Sequence, residues 1–92
     1  MALLVERSSQ VRAIVARHSG NSVAVFGSVA RGDEGPHSDI DLLVEFGPGA
    51  SLFDQVWMKD ELEELLGCSV DVVSTGALLP EDSDILDDAV LL

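Results

Sequence analysis

Basic residues are scarce in this chain of 92 residues. Five Lys and Arg stand against 17 Asp and Glu, for a formal net charge of −12. A large nucleic-acid footprint needs clustered Lys and Arg, so no direct nucleic-acid binding is expected. Cysteine is almost missing, since Cys68 stands alone. One cysteine excludes an internal disulfide and a cysteine-based zinc cluster, and it reads as a buried thiol in a reducing cytoplasm. No apolar run reaches the roughly 18 residues that span a bilayer. The start, MALLVERSSQ, lacks the basic n-region and long apolar core of a signal peptide. The expected setting is cytoplasmic, with no membrane partner. Repeats, low-complexity linkers and internal boundaries are also lacking, which predicts one domain over 1–92.

What is present is enough for a core. Hydrophobic residues make up 47% of the chain, too many for a disordered acidic tail. A domain of this size buries a limited share of its surface, so a partner subunit would help to stabilise it. The acids crowd into Asp54–Glu64 and Glu81–Asp88. That charge suits a basic protein partner. It is equally consistent with simple solubility.

The patterning predicts a small α/β (α+β) domain. Its mixed sheet of about three strands is flanked by helices in the order α-β-α-β-α-β-α. A first helix is expected over about 3–18, with Leu4, Val11, Ile14 and Val15 on one face. Gly20 would cap it in the left-handed conformation. Ser22–Phe26 reads as a buried strand ended by Gly27, and Ser28–Arg31 as the opening of a short helix. Gly32–Ser38 reads as loop. Asp39–Phe46 reads as the second strand, followed by a Gly47-Pro48-Gly49 turn. Ser51–Leu66 is expected to be the strongest helix, capped by Ser51 and Asp54. Its predicted apolar stripe is Leu52, Phe53, Val56, Leu62, Leu65 and Leu66. Ser69–Ser74 gives a third strand, and a final acidic helix is expected from about Glu81 to Val90.

Within this frame one stretch carries chemistry: FGSVARGDEGPHSDIDLLVEF, residues 26–46. Gly27 and Ser28 follow a strand. Glycine there lets backbone approach a phosphate closely, helix N-terminal N–H groups would face it, and the serine hydroxyl adds a donor. Alone the pair is a weak signal, because most such pairs are ordinary turns. Ten residues later come Asp39 and Asp41. Strand alternation puts both on one face, with Ile40, Leu42, Val44 and Phe46 on the other. Mg²⁺ takes one or two carboxylates plus substrate phosphates, and two metal ions can flank an in-line phosphoryl displacement. The plainer reading is a solvated strand face. Carboxylates in an apolar run are costly unless paired or metal-bound, so the run suggests a site. Asp71, inside Val70-Asp71-Val72-Val73, would complete the metal set or serve as base toward an attacking hydroxyl. Arg31 either contacts a triphosphate or pairs with Asp33 or Glu34. His37 is more often a bystander than a ligand, and Trp57 and Met58 read as core or interface.

GSVARG followed by SDIDLLVEF resembles the minimal nucleotidyltransferase family, a compact branch of the polymerase β-like nucleotidyltransferase superfamily. Gly-Ser, ten residues, Asp-x-Asp is matched without a gap, and VDVVS fits the third-acid strand. The resemblance implies the polymerase β-like fold and the antitoxin half of a pair whose toxin is a HEPN-domain ribonuclease. It further implies transfer of AMP from ATP to a tyrosine hydroxyl of that toxin, within a hetero-oligomer. By matching position Gly27 and Ser28 would hold the triphosphate, and Arg31 is counted with them as nucleotide-binding. Asp39, Asp41 and Asp71 would be catalytic and would hold Mg²⁺, with two ions expected. A binding antitoxin that neutralises its toxin without catalysis is the competing expectation.

Overall fold

Alternation along the strands and a row at four-residue spacing on the longest helix decide which side chains are hidden. The computed structural model describes residues 2–27, 30, 39–77, 81, 87 and 89–92. In chain order they form helices α1 (Ala2–Glu6) and α2 (Ser8–Arg17), strands β1 (Gly20–Phe26) and β2 (Ile40–Phe46), and helix α3 (Leu52–Leu66). Strand β3 (Val70–Ser74), a 3-10 turn (Thr75–Ala77) and strand β4 (Val90–Leu91) follow. The sheet is mixed, in the order β3-β2-β1-β4. β1 lies antiparallel to both β2 and β4, and β2 runs parallel to β3. A parallel pair needs a crossover of a dozen residues or more, and α3 is that crossover.

The core forms where α2 and α3 cover one face of the sheet. Val23 and Val25 of β1, Ile40, Leu42 and Val44 of β2, and Val70 of β3 meet Leu4, Val11, Ile14, Val15, Met58, Leu62 and Leu66 there. Burial of each such side chain contributes about 1.5–3 kcal/mol. α3 is closed at both ends. The Ser51 hydroxyl accepts from the Asp54 N–H at 3.4 Å, and the Asp54 carboxylate accepts from the Ser51 N–H at 2.9 Å. Gly67 ends the helix at φ +70°, donating its N–H to the Glu63 carbonyl.

Four expectations are corrected. The predicted 3–18 helix is two helices with a turn at Arg7, although Leu4, Val11, Ile14 and Val15 are all buried as expected. Ser19 takes the left-handed conformation at φ +68°, whereas Gly20 begins β1. Gly20 is needed there for space: a Cβ would lie 2.9 Å from the Val15 carbonyl oxygen and closer still to the Val15 side chain. On α3 the inward row is Met58, Leu62 and Leu66, at i, i+4 and i+8, while Leu52, Phe53 and Val56 point outward. Finally, the sheet has a fourth strand. Val90, the expected end of an acidic helix, pairs with Val25 instead, because β1 would otherwise leave its outer backbone groups unpaired. Most of that expected helix, 82–86 and 88, lies outside the described residues.

Candidate active site

Asp41 stands at the centre of the candidate site. Its Cα pairs with Phe26 of β1 on one side and with Asp71 of β3 on the other. Residues in register on parallel neighbours point to the same face, with strands about 4.7–4.9 Å apart. That face is opposite the core, since Ile40, Leu42 and Val70 occupy the alternate positions. Asp39, two residues before Asp41, precedes β2. The next N–H, that of Ile40, donates to the Ser69 carbonyl at 3.0 Å, so the approach to β2 is tied to the approach to β3. Asp41 and Asp71 therefore share one face at the end where β2 and β3 both begin, and Asp39 lies just before β2 at that end.

Gly27 closes the other side. It follows β1 at φ +75°, a conformation that strains any residue with a side chain, and a Cβ there would stand 2.5 Å from Asp41 Oδ2. A larger residue there would have to push the Asp41 carboxylate aside as well as adopt the strained backbone. Ser28, Arg31 and His37 lie outside the described residues.

Burial is lower than the apolar run suggests. Asp39 and Asp71 are exposed and Asp41 is half-buried. Alternation turns these acids away from the core, and among the described residues no charged side chain is buried. No three carboxylate, imidazole or thiol groups among the described residues converge as a ready-made metal set. The donors nevertheless suit magnesium, because they are hard oxygens, two of them in register on adjacent strands. Such an ion is ordinarily completed by substrate phosphates rather than by protein alone.

α3 supplies residues that sequence reading did not single out. The Glu63 carboxylate accepts from the Val70 N–H at 3.0 Å and from the Lys59 ammonium at 2.9 Å. The Gln55 amide donates to the Val72 carbonyl at 2.8 Å. These bonds fall on the residues either side of Asp71. Lys59 is held above its ordinary pKa by the Glu63 hydrogen bond, then by the charges of Glu63, Asp71 and Asp60. Glu63 is held below its own by Lys59 and by the Val70 N–H. Cys68, half-buried, is pushed up by burial and then by the charges of Asp39 and Glu63, which keeps it a thiol at neutral pH. The i, i+4 spacing of Lys59 and Glu63 was visible in the sequence. Their reach to β3 was not.

The Nucleotidyltransferase domain family matches residues 8–91. The chain belongs to that family. A Methanocaldococcus jannaschii protein, provisionally named a protein adenylyltransferase, is 47% identical to this nucleotidyltransferase over 78 residues, 84% of each chain. A Thermococcus cleftensis relative named protein adenylyltransferase MntA is 39% identical over 62 residues, 67% of this chain and 63% of its own. A solved structure provisionally assigned as a minimal nucleotidyltransferase superposes with a TM-score of 0.88 at 44% identity, covering 97% of this chain and 92% of the other. A toxin–antitoxin structure with AMP-PNP superposes with a TM-score of 0.78 over 90% of this chain and 69% of the other, a likeness of fold at 16% identity. The expected polymerase β-like nucleotidyltransferase fold is the one found. No helix among the described residues is long and apolar enough to cross a membrane.

Proposed function

We propose that this nucleotidyltransferase is the antitoxin of a toxin–antitoxin pair and moves AMP from ATP to a tyrosine hydroxyl of a HEPN-type ribonuclease partner, silencing it in the cytoplasm. One observation carries the reading: the parallel register that sets Asp71 beside Asp41, with Asp39 two residues before it. Relatives named protein adenylyltransferases support the reaction class. The chain contains no tyrosine, so a tyrosine acceptor would lie on another molecule.

In this reading Gly27, Ser28 and Arg31 hold the triphosphate. Asp71 takes the proton of the attacking hydroxyl. The acceptor oxygen bonds to the α-phosphorus, the bond from that phosphorus to the α,β-bridging oxygen breaks, and pyrophosphate leaves. Asp39, Asp41 and Asp71 would hold Mg²⁺. When bound, it neutralises phosphate charge that this acidic protein would otherwise repel.

Intact-mass measurement of the purified partner after incubation with the chain, ATP and Mg²⁺ tests the proposal. The expected result is a gain of one AMP unit on a tyrosine together with loss of toxin activity. Neutralisation by binding alone also has an observation behind it, the net charge of −12. Full inhibition without ATP and without any mass gain would favour it.

A further inference from the structure

The outward side of α3 is divided along its length. Its first half is apolar: Leu52, Phe53, Val56 and Trp57 are 75, 68, 47 and 55% exposed. The rings of Phe53 and Trp57 stack with centroids 5.8 Å apart. Spacings of one, four and five residues make these four a contiguous patch rather than scattered exposure. Its second half is acidic, with Asp60 and Glu64 exposed on the same outward side. The fold does not use the patch, since Met58, Leu62 and Leu66 already fill the inward row. Contiguous apolar surface rimmed by polar residues marks an interaction site, and exposed Trp and Phe are the anchors that interfaces favour.

We propose that this face of α3 docks a protein partner that offers an apolar socket beside a cluster of Lys or Arg, and that this partner is the acceptor of the transferred nucleotide. The second clause rests on the function proposed above. Charge selects the occupant. A second copy of the chain would bring another −12. An anionic lipid surface or a nucleic acid would be repelled by Asp60 and Glu64 as well. α3 is joined to the strand that carries the third acid, at the residues on both sides of Asp71, through Glu63 to Val70 and through Gln55 to Val72. The Asp71 carboxylate faces away from α3, and β3 is an edge strand, so a partner seated on this helix would present its hydroxyl by reaching round that edge.

The test uses the full chain with a purified HEPN-type toxin as the probe, and two double variants: Phe53→Ser with Trp57→Ser, and Asp60→Lys with Glu64→Lys. The first is expected to weaken toxin binding about 30-fold or more, the scale of losing a hot-spot pair. The second should weaken it about tenfold and flatten its salt dependence. Both should melt like the parent chain and bind AMP-PNP within about twofold of it. Unchanged toxin affinity in the first double variant overturns the docking face. So does a sedimentation result in which the parent chain alone is a dimer and that variant a monomer, because the occupant would then be a second copy. A parent chain that binds toxin through α3 yet transfers no AMP would instead overturn the proposed function and leave the docking face standing.

Discussion

Along β2, successive residues enter two different surroundings. Ile40, Leu42 and Val44 are sealed beneath the helices, at 7, 0 and 0% exposure, whereas Asp41 between them is half-buried and Glu45 is open. The open face is not uniformly polar. Leu43, paired with Ala24 on one side and Val73 on the other, is 5% exposed, so apolar side chains follow directly after the acids. The difference shows how one strand can serve stability on one face and carry the proposed chemistry on the other. Alternation gives each its own face, and a substitution on one face should leave the other largely undisturbed.

Asp41→Asn strikes the acid face and should have the largest effect. AMP transfer to the partner, followed by intact mass, is expected to fall about 100-fold or more while the melting temperature stays near that of the parent chain. A variant that labels as fast as the parent would break the assignment of chemistry to this face. Leu42→Ala is the mirror experiment. It should cost about 2–5 kcal/mol of stability in denaturant titration, with AMP-PNP affinity retained below the melting transition.

Gly27→Ala tests where the two faces meet. The left-handed backbone alone costs about 1–2 kcal/mol, and the added methyl presses on the Asp41 carboxylate. Stability and nucleotide binding should therefore fall together, which calorimetry on one sample can show. A loss confined to stability would remove Gly27 from the site.

The smallest effect is expected in acid. Glu63 titrates below the ordinary glutamate value of about 4.3 because the folded protein gives it Lys59 and the Val70 N–H. Its stabilising contribution is thus complete above that ordinary value and is lost as pH falls through the lower, folded one. The protection of the Val70 amide, its exchange corrected for the pH-dependent intrinsic rate, should fall over that window in the parent chain. Glu63→Gln should remove this pH dependence, since the amide can still accept the N–H but does not titrate there.

The faces of β2 were legible because acids and apolar residues alternate strictly from Asp39 to Val44, apart from the extra Leu43. The caps of α3 were legible for a similar reason, since Ser51, Asp54 and Gly67 act on backbone within a few residues of themselves. The buried side of α3 was not. Apolar residues surround its first half, and Leu52 or Phe53 is as hydrophobic as Met58, so only the position of the sheet picks the inward row. β4 was missed because two residues carry no periodicity. In the site, Asp39 and Asp41 could be paired from their spacing. The register of Asp41 with Asp71 depends on how α3 returns the chain, and the hold of Glu63 on Val70 depends on where that helix comes to rest.

That hold has a consequence for how the protein behaves in concentrated solution. An outer strand with free N–H and C=O groups invites another chain to add to it. At one rim, the Val70 N–H and Val72 C=O of β3 are already taken by Glu63 and Gln55. At the other rim, β4 is two residues long. Those two groups of β3 are thereby closed to an incoming strand, so the side chains that fix the third acid's strand should also hinder edge-to-edge stacking there.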